Sequence, residues 1–332
     1  MYYKNKIKTL SEIFGTSDIQ LHETFINVAG RKYPIIEDVI ILLESHQIPR
    51  PTLEKVQYLT RDAETTPTIA KDIQYTFGEE WKKFNEIMPQ HHNEFKLYFD
   101  LIDLPTLESK RICDLGCGIG RWSYFLKDIA KEIVLIDFSE SIFEARKNLS
   151  ESDNMIFIMA DVLDLPFQDD VFDFVFCLGV LHHIPLPALQ SVRKLSRLAP
   201  TFLVYLYYAL DNRGILYKLI FFFVDLIRNL ISNITSSTAR LILTEVLMWL
   251  LYIPTIFVGK ILSMFGVSDS KVPFYSIYGH MNLVRIRQDV YDRFFTRIEQ
   301  RVSEREIHKL SDTFSKIIVS DGLPYWHFLC RK

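Results

Sequence analysis

Between residues 111 and 208 the apolar positions come in short unbroken runs. Ile112–Leu115, Glu132–Ile136, Met155–Met159, Phe172–Leu178 and Phe202–Tyr208 each span four to seven residues. Runs of that length without polar alternation predict strands buried on both faces of a parallel sheet. Between them the period lengthens to that of helices. One helical pattern begins at about Trp122, and a second follows Ser139, which reads as an N-cap with Glu140 in the first turn. A third, Leu186–Leu198, keeps Leu189, Val192, Leu195 and Leu198 on one side. Alternating strands and helices predict an α/β fold with a doubly wound, mostly parallel sheet. Phe314–Ser320 and Tyr325–Cys330, joined by a tight Asp321–Gly322 turn, read as an antiparallel closing hairpin, for seven strands in all.

The flanking patterns divide the chain further. Residues 1–50 read as a small separate appendage, with a hairpin over Phe25–Ile36 turning at Ala29–Gly30 and an apolar run at Val39–Leu43. Residues 51–105 read as a charged, Thr-rich linker followed by two amphipathic lid helices, Phe77–Phe84 and His91–Ile102. Tyr75, Phe77 and Trp81 would then lie over a ligand or simply pack in the core. Residues 106–208 carry the main strands, and 303–332 complete that domain, opened by a capping box at Ser303–Glu306.

Residues 209–302 interrupt the alternation as a helical insert. Ile215–Ile234 has a broad apolar face, and the fourteen residues 246–259 carry no charge. A spanning helix needs about 20 apolar residues, so a run of 14 with Pro254 as a kink predicts a buried or interfacial helix. Self-packing, a lipophilic pocket and peripheral membrane contact through residues 214–265 are all consistent with this greasiness. The insert's second half changes character, with Tyr275, Tyr278, His280, Arg285, Arg287, Asp289, Asp292 and Arg293. It reads either as an acceptor-pocket lining or as an ion-paired surface helix.

Charge and cysteine content narrow the classes. Lys and Arg number 38 against 41 Asp and Glu, for a formal net charge of -3. That balance offers no basic excess to neutralise phosphates, so nucleic acid is not expected as a partner. Cys113, Cys117, Cys177 and Cys330 lie in strands or a glycine loop, without the companions of a metal site. They suggest buried reduced thiols in a cytoplasmic protein, or one peripheral to the membrane. The first residues lack the apolar stretch of a signal peptide.

The chemistry is concentrated at the strand ends. After the first strand, Gly116, Gly118 and Gly120 open a helix. Glycines at alternate positions permit positive φ and bring backbone N–H groups close to a ligand at a helix N-terminus. About 20 positions on, the second strand ends in Asp137, where a nucleotide-binding βαβ unit carries the acid for ribose hydroxyls. The third strand ends in Ala160-Asp161-Val162, and the fourth in Cys177-Leu178-Gly179. A dehydrogenase-type fingerprint would read Gly-x-Gly-x-x-Gly, whereas these three glycines give Gly-x-Gly-x-Gly.

These motifs, in order over residues 112–184, resemble the class I S-adenosylmethionine-dependent methyltransferases, type 11 group. Ile112–Gly120, Leu135–Ser139, Ala160–Phe167 and Phe172–Ile184 are similar to that family's four motifs. The resemblance implies a Rossmann-like fold with S-adenosylmethionine as cofactor. It implies that Asp114 and the loop Gly116, Cys117, Gly118 and Gly120 hold the methionine part. Asp137 would hold the ribose, Phe138 would pack on adenine, Asp161 would bind the adenine amino group with Val162 also at the cofactor, and Leu178 would floor the pocket. Arg31–Ile41 also resembles the end of a zinc-ribbon module, without its cysteines. In place of the family's usual Pro-Gly-Gly before the fifth strand stands Ala199-Pro200-Thr201.

The expected reaction is direct in-line methyl transfer to a small acceptor, a lipophilic one included. If the acceptor is a hydroxyl, His182, His183 or Asp292 are candidate bases, the histidines because their ordinary pKa lies near neutrality. The two histidines are equally readable as a turn beside the pocket. A cofactor-binding protein without catalysis, or a docking protein built on the same fold, remains the alternative.

Overall fold

The structure, a computed structural model, describes residues 1–55, 85–268, 272 and 275–332. The first lid helix, with Tyr75, Phe77 and Trp81, lies outside the described residues. Two compact units emerge: Met1–Ala209 with Ile298–Lys332, and Leu210–Arg297.

The first unit is built on eleven strands: β1 (Ile19–Leu21), β2 (Phe25–Val28), β3 (Arg31–Ile36), β4 (Val39–Ile41), β5 (Arg111–Leu115), β6 (Glu132–Asp137), β7 (Met155–Met159), β8 (Phe174–Leu178), β9 (Thr201–Tyr205), β10 (Lys316–Val319) and β11 (His327–Arg331). Their order across the sheet is β1-β2-β3-β4-β7-β6-β5-β8-β9-β11-β10. Strands β4, β7, β6, β5, β8 and β9 run parallel, and β11 is antiparallel between β9 and β10. The α/β class with a closing antiparallel hairpin is therefore as the sequence predicts. Successive side chains of β7 alternate between two cores: Ile156 and Ile158 join one, Met155, Phe157 and Met159 the other. Both faces of the sheet are covered, and for that reason the strands read as continuous apolar runs.

Three expectations need correction. Residues 1–50 do not form a separate appendage. Val39 to Ile41 pair in parallel register with Phe157 to Met159, so the β2–β3 hairpin extends the main sheet at one edge. The buried Tyr3 fastens this edge, its hydroxyl donating to the Asp38 and Phe157 carbonyls at 2.6 and 3.1 Å. The hairpin turns at Ala29 and Gly30, with φ of 50° and 82°, as a two-residue loop with both residues left-handed should.

The closing hairpin does not turn tightly at Asp321–Gly322. Val319 pairs with Phe328, and residues 320–326 form a longer connection. The Ser320 amide donates to the His327 carbonyl at 2.9 Å as the last bond of the hairpin, Pro324 beyond it has no N–H to contribute to a ladder, and the side chains of Ser320 and His327 both turn to Asp100. The Ser320 hydroxyl donates to Asp100 Oδ2 at 2.6 Å, and His327 Nε2 lies 2.6 Å from Asp100 Oδ1.

In the second unit, the apolar helix is longer than the 14-residue uncharged run and continues through Pro254. Ser237–Met264 is continuous over 28 residues, long and apolar enough to cross a membrane by length and composition. A π-turn at Met248–Tyr252 widens the helix just before the proline, relieving the clash of its ring with the preceding turn. The Thr255 hydroxyl then donates to the carbonyls of Leu251 and Tyr252 at 2.9 and 2.8 Å. This helix and Ile215–Ile231 pack around Leu283–Phe295 through Val224, Met248, Tyr252, Ile286, Val290 and Phe294.

Candidate active site

The strand order reverses beside β5: β6 and β7 lie to one side, while β8 and β9 continue on the other. At such a switch point two loops leave the sheet in opposite directions and open a crevice outside the carboxyl ends of the strands. The glycine loop leaves β5 there. Gly116, Gly118 and Gly120 have φ of 77°, 54° and 75°, values that favour glycine over residues with a Cβ. A Cβ on Gly116 would also fall 2.2 Å from Val180 Cγ2, so this glycine is required twice over.

The loop's amides turn inward, where the sequence suggested they would be offered to a ligand. Those of Gly116 and Cys117 both donate to the Ile136 carbonyl, at 2.7 and 3.0 Å, and that of Gly120 to the Cys117 carbonyl at 2.9 Å. The Gly118 amide donates to Asp137 Oδ2 at 2.9 Å. Ser139, expected as an N-cap, serves this same carboxylate, since its amide and hydroxyl both donate to Asp137 Oδ1 at 2.8 Å. The helix starts instead at Ser141, with Glu140 before it. Asp137 is thus fixed at the tip of β6 against the glycine loop while keeping part of its surface open.

Around it stand the other residues of the motifs. Asp114 is buried beneath the loop and accepts a hydrogen bond from the Ser123 hydroxyl at 2.7 Å. Burial raises its pKa to about 7, against the opposing hydrogen bond from Ser123. Cys117 is buried, and Phe138 is half-buried against the same core as β6. Asp161 follows β7 and accepts from the Leu163 amide at 2.9 Å, with Val162 buried beside it. Leu178 ends β8, nearly buried. Asp114, Asp137, Asp161 and Leu178 therefore lie on four adjacent strands, in or just beyond their last residues.

The candidate bases are distributed differently. His182 and His183 follow β8 in the first unit, whereas Asp292 belongs to the second unit and accepts from the Thr296 hydroxyl at 3.2 Å. His183 Nδ1 lies 2.8 Å from the Ile298 carbonyl. His182 is wholly buried, its ring stacked 3.9 Å from that of Tyr207, and neither ring nitrogen has a hydrogen-bond partner among the described residues. Burial first, then the neighbouring His183 and Arg301, push its pKa well below the ordinary histidine value.

Sequence reasoning missed one group at this edge. Because β11 is antiparallel, its first residue, His327, pairs with Tyr205 at the end of β9. His327 Nδ1 lies 2.7 Å from the Pro324 carbonyl, and Asp100 binds its other nitrogen. Tyr98 packs 5.1 Å from both the Trp122 and Tyr205 rings, ring centre to ring centre. No local pattern could have joined residues 227 positions apart. The sole clue was the closing hairpin, which brings the start of its second strand to the ligand edge.

In the second unit the polar cluster is ion-paired. Tyr278 donates to Asp289, Arg285 pairs with Asp289 at 3.2 Å, and Arg287 pairs with Glu245. No group of three or more potential metal ligands occurs among the described residues.

Residues 112–199 match a family model described as a methyltransferase domain. Among curated proteins, the chain is 43% identical over 67 residues to a demethylmenaquinone methyltransferase of Clavibacter sepedonicus, covering 20% of this chain and 27% of that one. It is 34% identical over 108 residues to an uncharacterised protein of Methanocaldococcus jannaschii (31% and 45%), and 30% identical over 101 residues to a demethylmenaquinone methyltransferase of Staphylococcus aureus (29% and 42%). The chain thus spans less than half the length of these relatives. Similar solved structures include a magnesium protoporphyrin IX methyltransferase of Synechocystis PCC 6803 with bound SAH. It is 16% identical with a TM-score of 0.39, covering 85% of this chain and 93% of that one. A protein of Pyrococcus horikoshii OT3 is 27% identical, with a TM-score of 0.32 and coverage of 37% and 64%.

Proposed function

We propose that the first unit binds S-adenosylmethionine at the β5–β6 edge and transfers its methyl group to a small, lipophilic acceptor. The observation that carries this reading is the junction of Gly118 with Asp137 at the switch point, within the stretch that matches the methyltransferase model. The residues fit such a group. Asp137 presents a rigidly held, partly open carboxylate suited to a vicinal diol, and the bare α-carbons of the loop allow close approach.

When bound, the cofactor would supply an electrophilic methyl on a positive sulfur, with a neutral thioether as its leaving group. The protein's work is then alignment, worth up to about 7–11 kcal/mol in well-oriented systems. Asp137 would hold the ribose, and Asp161 and Leu178 would bound the base. His182, one of the two histidines that follow β8, is the proposed proton acceptor, and its burial, which disfavours the charged ring, opposes that role. The aromatic rings of Tyr98, Tyr205 and Tyr207 at this edge favour a flat or greasy acceptor. The name of the demethylmenaquinone relatives accords with that class.

Calorimetry with S-adenosylhomocysteine tests the first half: Asp137→Ala should weaken binding by about tenfold or more, as expected for loss of hydrogen bonds to a charged group. Unchanged affinity would overturn the ribose assignment. For the second half, His182→Gln should lower kcat by about 10²–10⁴ with S-adenosylhomocysteine affinity intact. An unaltered kcat would remove His182 from proton transfer.

A further inference from the structure

The second unit is inside out. On Ile215–Ile231, the outward positions Leu219, Phe222, Phe223, Leu226 and Leu230 are all large and apolar, the last 71% exposed. The one arginine of this helix is 7% exposed and turned inward, donating to the Asp225 carboxylate and to the Thr296 carbonyl at 3.1 Å. Ser237–Met264 repeats the arrangement. Arg240 is buried and donates to the Ile234 carbonyl at 2.6 Å, whereas Ile242, Trp249, Leu250, Phe257 and Val258 are exposed. Its buried positions Arg240, Thr244, Met248 and Tyr252 fall every four residues, so the opposite arc is continuous. The π-turn at Met248–Tyr252 keeps that arc in phase beyond the proline.

Water would reverse this arrangement, placing charges outside. Charges turned inward onto carboxylates and carbonyls, with leucine and phenylalanine outside, are the response of a helix to lipid. Length decides between spanning and lying flat. The uncharged stretch 246–259 covers roughly 21 Å as helix, short of the ~30 Å hydrocarbon core. Insertion across the core would carry the Glu245–Arg287 ion pair or Lys260 into it. The opposite face is moreover packed on Leu283–Phe295, a helix rich in ion pairs. Charge names the kind of surface. The exposed ionisable residues of these helices, Lys218 and Lys260, are both cationic, while the partly exposed Asp225 and Glu245 are neutralised by Arg228 and Arg287, as suits an anionic headgroup layer reached from flexible stems.

We infer that Ile215–Ile231 and Ser237–Met264 dock the protein flat on an anionic bilayer, their apolar arcs in the boundary between headgroups and acyl chains. This does not rest on methyl transfer; it would place a lipophilic acceptor and the protein in the same phase.

Flotation of the full chain tests it, using vesicles of phosphatidylcholine alone and of phosphatidylcholine and phosphatidylglycerol in equal parts. The wild type should float with the mixed vesicles and be released by alkaline carbonate. Leu219→Ser with Phe222→Ser should lower partitioning by about tenfold or more, since burial of one such side chain corresponds to roughly that factor. Phe257→Ser with Val258→Ser should do the same from the other helix, and Lys218→Glu with Lys260→Glu should abolish the preference for phosphatidylglycerol. Retention of S-adenosylhomocysteine binding by these variants separates this result from failure of the methyl-transfer reading. A wild type that stays unbound with both vesicles overturns the inference. So does carbonate resistance with protease cleavage on both sides of the bilayer, or a stable dimer that the same serine substitutions dissociate.

Discussion

Single residues at the strand ends carry opposed demands, and their titration reveals it. Asp114 is buried, and its pKa of about 7 lies above the ordinary 3.8. The folded protein therefore holds this proton more tightly than the unfolded chain does. Its contribution to stability is full below the ordinary value and is lost as pH rises towards about 7. Denaturant titrations across that range should show the wild type losing up to roughly 4 kcal/mol relative to Asp114→Asn; parallel curves would show that the carboxyl titrates normally. His182 has the reverse sign, because its lowered value withdraws stability as pH falls below the ordinary histidine range. Gly116 is constrained by shape. Ala there meets both a left-handed φ and the Val180 side chain. Gly116→Ala should cost about 1–3 kcal/mol, measured by urea unfolding, and Val180→Ala should restore the part due to the clash. The glycines and Asp137 were legible because their spacing is local; the inward use of the loop amides was not, because its acceptors lie on the neighbouring strand.

Among elements, the closing hairpin and the first-unit edge at Asp100 depend on one another. His327 and Ser320 both bind Asp100, so Asp100→Ala should destabilise by about 1.5–3 kcal/mol. Amide exchange should then accelerate in β10 and β11 ahead of β5 and β6; uniform acceleration would contradict a local clamp. The parallel strands could be read from sequence since burial on both faces leaves unbroken apolar runs. The N-terminal strands were misassigned for a related reason. Their alternation is that of a half-exposed edge, as in Phe25–Val28, and a half-exposed edge looks the same whether it stands alone or extends a larger sheet. The apolar helix was underread because only its uncharged stretch was counted, whereas it continues as one helix through the π-turn and Pro254.

For the whole molecule, two units share one chain, and the second is bounded by positions the first holds together. Tyr208 bridges to Val302, and the Ala209 amide donates to the Val302 carbonyl at 2.9 Å. Replacing residues 210–297 with a short Gly/Ser link should therefore leave a folded first unit that still binds S-adenosylhomocysteine and no longer floats with vesicles. Loss of binding in a folded product would move part of the site into the second unit. The greasiness of that unit was plain from sequence, but not the direction its side chains face. That direction depends on Leu283–Phe295, far along the chain. The most direct test of the central claim is a crystal structure of the full chain soaked with S-adenosylhomocysteine. The adenosine is predicted outside β5 and β6, its ribose hydroxyls within hydrogen-bonding distance of Asp137. Density for the molecule elsewhere, or a crevice filled by the protein's own side chains at saturating ligand, would contradict it.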